Sequence, residues 1–176
     1  IYIFLLDIKI YKKHFIFLKI DTMLFLYYWL SYSISRHNLD ISRIASKDEL
    51  VYGEIPYFSF EKALELIPIK TTDTFMDLGC GKGKLVFYMN NIFKIKSIGV
   101  DLVPMYIKYA ASLSKRLKLK NIQFENKNIL NCDLSQGTIF LITWTCFSDQ
   151  SRKSLIEKMQ KEISPGSHII TTFNPI

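Results

Sequence analysis

The chain has 176 residues, 49% of them hydrophobic, and a formal net charge of +7. That length and composition suit one domain with a sizeable core and exclude a disordered chain. Three cysteines (Cys80, Cys132, Cys146) without a CxxC pair exclude a disulfide framework, and three histidines leave little for a His-rich metal site or a His-dependent triad. The positive charges are scattered. The densest group, Lys115, Arg116, Lys118 and Lys120, reads as a solvated helix end, so nucleic acid has no strong signal.

In chain order, residues 1–50 form an apolar N-terminal helical extension. The first methionine is Met23, which admits residues 1–22 as lying upstream of the natural start. Phe15 to Ile34 is long enough to cross a bilayer, which takes ~20 residues. Lys19 and Asp21 interrupt it, and each charge costs ~2.5–3.5 kcal/mol at membrane depth. The expectation is a helix packed on the domain. The ring cluster of Tyr27, Tyr28, Trp29 and Tyr32 also admits membrane association through residues 15–34. The expected localisation is cytoplasmic, with that association as the variant.

Residues 51–176 alternate short apolar runs with helix-length segments. The spacing of Phe60, Ala63, Leu64 and Ile67 predicts a helix over 58–67, ended by Pro68. Strands are expected at 74–78, 97–102, 121–126, 138–143 and 168–173. Helices are expected at 82–93, from Pro104 to about Leu117, and from a Ser148 or Asp149 cap to about Ile163. This alternation predicts an α/β fold, a doubly wound and mostly parallel sheet with helices on both faces. In such folds a ligand sits beyond the carboxyl ends of the strands.

The stretch FMDLGCGKG (75–83) lies at the end of the first strand. A dinucleotide fingerprint, G-x-G-x-x-G, would place its third glycine at Lys84; here it comes one residue early, at Gly83. No Gly-Lys-Ser or Gly-Lys-Thr follows, as a nucleoside triphosphate loop needs. Asp77, two residues before Gly79, suits a cationic ligand and is a poor neighbour for pyrophosphate. Asp101, at the end of the second strand, can accept two ribose hydroxyls. A cationic adenosyl ligand meets these conditions, and S-adenosylmethionine is one.

With FMDLGCGKG as a first motif and IGVDL (98–102) as a second, residues 52–176 resemble a class I, seven-stranded, Rossmann-like S-adenosylmethionine-dependent methyltransferase. The resemblance implies cofactor binding by Asp77, Gly79, Cys80, Gly81, Gly83, Asp101 and Leu102. It further implies an adenine contact by Asn128, where the family often has Asp, and a pocket wall at Ile129, with Asp133 as an alternative acid. It implies a sheet apparently truncated after its fifth strand, and a domain over 51–176 lacking C-terminal strands. Tyr52, Gly53 and Glu54, with the stretch from Thr143 to Phe147, are similar to the non-SET protein lysine methyltransferases, although those carry Asn where Thr143 and Trp144 stand. Tyr52, Glu54, Thr143 and Trp144 are therefore the catalytic candidates, with a protein lysine or another amine as acceptor. The competing readings are a non-catalytic adenosyl-binding remnant and a nicotinamide-dependent Rossmann oxidoreductase.

Overall fold

The computed structural model describes residues 2–35, 54–144 and 147–172. They divide between two compact units, one of three helices and one built on a sheet.

The helical unit holds α1 (Tyr2–Lys13), α2 (Phe15–Ser35) and α3 (Tyr57–Leu64). The N-terminal extension is thus two helices separated at His14, and α3 groups with them rather than with the sheet. Phe17, Ile20 and Leu24 recur at helical spacing along α2 and are buried. Asp21 shares that face. Its carboxylate accepts the hydroxyls of Tyr11 (2.6 Å) and Tyr57 (2.9 Å). Asp7, fully buried, accepts the Phe58 N–H in the first turn of α3 at 3.1 Å. The acid that interrupts the apolar run is therefore a hydrogen-bond hub. Among the described residues, no helix is long and apolar enough to cross a membrane. Helix α3 stops at Leu64, short of Ile67, because Leu66 and Ile67 donate to Ala63 and Leu64 and so tighten the last turn.

The sheet unit runs β1 (Thr74–Leu78), α4 (Lys84–Phe93), β2 (Lys96–Asp101), α5 (Pro104–Arg116), β3 (Ile122–Asn126), a 3-10 turn (Ile129–Asn131), β4 (Ile139–Thr143), α6 (Asp149–Glu162) and β5 (His168–Thr172). The five strands are ordered β3-β2-β1-β4-β5, and all pairs are parallel. This is the expected doubly wound layout, with its switch point between β1 and β4. Boundaries move where the backbone turns left-handed. Helix α4 begins at Lys84 because Gly83 has φ +82°, and β3 begins after Asn121, whose φ is +57°.

Parallel partners point to the same side, so the two faces separate cleanly. Met76, Leu78, Ile98, Val100, Phe140, Ile142 and Trp144 pack with Leu155 and Met159 of α6 on one face. On the other face Gly99 lets Cys80, Val86 and Phe124 close in. A methyl there would stand 2.7 Å from Cys80 Sγ and 2.9 Å from Val86 Cγ2. At the amino end of the sheet, the Asn90 amide of α4 donates to the carbonyls of Ile95, Lys120 and Asn121. Ser148 Oγ caps α6 by accepting the Ser151 N–H, as its position before the helix predicts.

Candidate functional site

The carboxyl ends of β1 and β2 lie side by side, in register from Thr74–Lys96 to Leu78–Val100. This brings the glycine loop against Asp101. Gly79 and Cys80 donate their N–H groups to Val100 O at 2.9 and 3.0 Å. The Gly81 N–H donates to Asp101 Oδ2 at 2.7 Å, and the Val103 N–H donates to Oδ1 at 2.8 Å. Both Asp101 oxygens thus hold backbone donors, and the carboxylate keeps further lone-pair capacity. Burial pushes the Asp101 carboxyl up, and the N–H donors of Val103, Gly81 and Leu102 pull it back down.

Asp77 is buried on the same face of the sheet as Gly99. Burial, and then the charge of Asp101, push its carboxyl up to about 8. No hydrogen-bond donor among the described residues relieves it. Two acids with raised pKa values beside a turning glycine loop form a site that a cation would satisfy. Gly79 (φ +97°) has open space where its Cβ would be, whereas at Gly83 (φ +82°) a Cβ would meet Phe124 Cε1 at 2.4 Å. Gly83 therefore serves packing, and Gly79 leaves backbone open to an approaching group. The Cys80 thiol is pushed well above its usual range by burial, which rules it out as a ready nucleophile.

The other expected cofactor residues follow β3. Asn128 is exposed, and its Oδ1 accepts the Leu130 N–H at 2.9 Å, capping the 3-10 turn. Ile129 packs against the core on the α6 face. Asp133 holds the N–H and hydroxyl of Ser135 at 2.9 and 2.6 Å, bonds that keep its carboxyl low, so it closes a turn.

Of the catalytic candidates, two lie on the sheet unit. Thr143 and Trp144 are neighbours in sequence and face opposite sides. Trp144 is buried with Ile142 and Leu155, its ring 5.3 Å from that of Phe147 and 5.8 Å from the Arg152 guanidinium. It is a core residue. Thr143 ends β4 half-buried, in register with Thr172. Glu54 is exposed and belongs to the helical unit, while Tyr52 lies outside the described residues.

Sequence reading passed over Asn126. Its Nδ2 donates to both Asp101 O and Leu102 O at 3.0 Å, and the Lys127 N–H adds a bond to Asp101 O at 3.2 Å. The end of β3 thereby holds the segment that carries Asp101. Gly99 was passed over too, although a glycine inside a strand is a signal of close approach.

A parallel α/β sheet with paired acids at its switch point defines a Rossmann-like ligand-binding domain. The family described as "Methyltransferase domain" matches residues 69–174, more than half of the chain, and the chain belongs to it. It is 28% identical over 169 residues to a histone-lysine N-methyltransferase, H3 lysine-79 specific, of Dictyostelium discoideum, covering 88% of this chain and 9% of that protein. It is 26% identical over 125 residues to a protein-lysine N-methyltransferase of Saccharolobus islandicus (strain REY15A), covering 68% of this chain and 74% of the relative. Its fold is similar to that of an RNA methyltransferase from Salinibacter ruber in complex with S-adenosyl-L-homocysteine, with TM-score 0.60, 21% identity, and 68% and 76% of the two chains covered. The chain thus spans a small part of the Dictyostelium relative and most of the archaeal one.

Proposed function

We propose that the sheet unit binds S-adenosylmethionine and passes its methyl group to an amine, with a protein lysine as the favoured acceptor. The observation that carries the cofactor is the acid pair at the glycine loop. Asp77 is a buried carboxyl held near pKa 8 with no donor of its own, and Asp101 is a half-buried carboxylate with spare lone pairs. An ammonium or sulfonium beside Asp77 would restore its charged form, and a ribose diol could take the free lone pairs of Asp101. Asp101 would serve the ribose of either ligand, but a pyrophosphate at the glycine loop would gain nothing from Asp77, which argues against a nicotinamide dinucleotide. For the acceptor, the support is the similarity to the two lysine methyltransferases above.

S-adenosylmethionine, when bound, supplies a methyl already activated on a sulfonium. What remains for this chain is to orient the donor, bring the acceptor nitrogen in line and exclude water. The rigid β1–β2 ends and the Gly81–Asp101 bond supply the orientation. An ammonium acceptor must lose its proton before attack. Thr143, at the carboxyl end of β4 on the face of Asp77, stands where a neutral amine could be received.

Ligand-induced stabilisation tests the donor. S-adenosylhomocysteine at 100 times its dissociation constant should stabilise the fold by about 2.7 kcal/mol, and NAD should not shift the melting temperature. Methyl transfer from labelled S-adenosylmethionine into lysine-containing proteins, lost when the lysines are acetylated beforehand, tests the acceptor. A folded protein indifferent to S-adenosylhomocysteine would overturn the donor reading. Transfer that survives lysine blocking would overturn the acceptor reading alone.

A further inference from the structure

We propose that the outward face of α1 and α2 docks on the surface of an anionic phospholipid bilayer, lying along the interface without crossing it. The observation is a segregation of charge and apolar surface within the helical unit. These two helices carry six charged residues besides His14: Asp7, Asp21, Lys9, Lys12, Lys13 and Lys19. Both acids are consumed inside the unit, Asp7 on the Phe58 N–H and Asp21 on two tyrosine hydroxyls. All four lysines are exposed, and ion pairs such as those on Lys62, Lys127, Arg152 and Lys158 do not involve them. The two helices therefore present one sign of charge.

Among those lysines lies apolar surface that the fold leaves uncovered. Helix α2 is apolar on two sides. Phe17, Ile20 and Leu24 face inward, while Phe15, Leu18 and Phe25 recur at spacings of three and seven on the other side, with Phe15 73% and Phe25 65% exposed. Ile8, Tyr11, Lys12, Phe15 and Leu18 line one shallow cleft where α1 meets α2. Aromatic and aliphatic side chains ringed by lysines are what an interfacial helix presents to a headgroup layer: the rings enter the acyl boundary, and the lysine stems reach back to the phosphates. A second copy of this face would set lysine against lysine. A nucleic acid would use the lysines and leave Ile8 and Leu18 without purpose.

The test is co-sedimentation of the full chain with vesicles of phosphatidylcholine alone and of phosphatidylcholine mixed with phosphatidylserine. Binding is expected to the mixed vesicles only and to weaken as salt is raised. Lys12→Gln and Lys13→Gln should each weaken partition about fivefold. Phe15→Ser should weaken it about tenfold or more, by removing a ring from the acyl boundary. The proposal is overturned if the mixed vesicles do not sediment the protein, if neutral vesicles sediment it equally, or if Phe15→Ser binds like the parent. In that last outcome the surface is purely electrostatic, and binding of a duplex oligonucleotide unaffected by Phe15→Ser would identify it as a nucleic-acid face. All three substituted residues are exposed, so S-adenosylhomocysteine should stabilise the variants as it does the parent.

Discussion

The backbone N–H of Gly81 and the carboxylate of Asp101 are joined at 2.7 Å, across 20 residues of sequence. This bond ties the glycine loop to the end of β2 before any ligand arrives. Asp101 is thus part of the frame as well as the proposed ribose acceptor. Asp101→Ala removes the acceptor of the Gly81 and Val103 N–H groups, among others, and should destabilise the ligand-free protein by about 2–3 kcal/mol while abolishing stabilisation by S-adenosylhomocysteine. Calorimetric titration beside thermal melts separates the two effects. An unchanged affinity in Asp101→Ala would remove the ribose assignment.

Asp77 makes a pH prediction with a defined sign. Its folded pKa is near 8, above the ~3.9 of an unfolded aspartate. The folded state therefore holds its proton more tightly than the unfolded state. That contribution is fully present below about pH 4 and is lost as pH rises towards 8. Asp77→Asn should flatten this part of the stability profile between about pH 4 and 8. A cationic ligand favours the charged form, so ligand affinity should rise with pH over the upper part of the same window, by up to about tenfold per unit. Affinity for S-adenosylmethionine that does not change between neutral and mildly acid pH would count against Asp77 as the cation's partner.

Two glycine substitutions should fail in different ways. Gly99→Ala drives a methyl to 2.7 Å from Cys80 Sγ and 2.9 Å from Val86, and should cost about 1–3 kcal/mol by overpacking. Gly79→Ala meets no atom within 4 Å, so its stability cost is the left-handed backbone alone, about 1–2 kcal/mol. Its larger effect should be on binding, because the added methyl points into open space beside the loop. Denaturant melts and S-adenosylhomocysteine titrations on both variants check this. Equal losses of affinity would mean that Gly79 has no special place at the site.

In the helical unit, Asp21 accepts the hydroxyls of Tyr11 and Tyr57, both buried. Tyr57→Phe removes one bond and its donor together and should cost about 1 kcal/mol. Asp21→Ala leaves two buried hydroxyls without their acceptor and should cost about 2–4 kcal/mol. Melts of the full chain followed by tyrosine fluorescence would show the order. If Asp21→Ala were the milder change, the hub would contribute little.

Asn126→Ala should raise the dissociation constant for S-adenosylhomocysteine about fivefold, taking one hydrogen bond's worth of position from the Asp101 segment, ~1 kcal/mol. Asn126→Gln, which keeps the amide on a longer stem, should recover part of that loss. A purely structural role would lower the melting temperature and leave the affinity ratio unmoved.

The sheet was legible because parallel strands buried on both faces read as apolar runs, as IFLI (139–142) does and as TFMDL does apart from Asp77. The cofactor loop was legible because φ > 0 demands glycine at Gly79, Gly81 and Gly83, and the structure has all three there. Asp21 was misleading. In sequence it looks like a flaw in a membrane span, and only the tertiary fold brings Tyr57 to it across 36 residues. Thr143 and Trp144 are catalytic candidates on the resemblance of the stretch from Thr143 to Phe147 to the non-SET protein lysine methyltransferases. Strand alternation sends them to opposite faces, and a motif read as a string does not carry that information. Asn126 was invisible for a related reason: its partners are backbone carbonyls, which leave no trace in side-chain identity.

Asn90 closes three carbonyls at the amino end of the sheet, and Gly83 opens the same helix at the other end. Helix α4 is therefore a strut pinned at its far end. It cannot slide along the sheet to accommodate a bulkier loop, so a change in loop length between Asp77 and Lys84 would be absorbed within those few residues. The chemistry at the carboxyl edge thus inherits its geometry from an amide about a helix length away that touches nothing reactive.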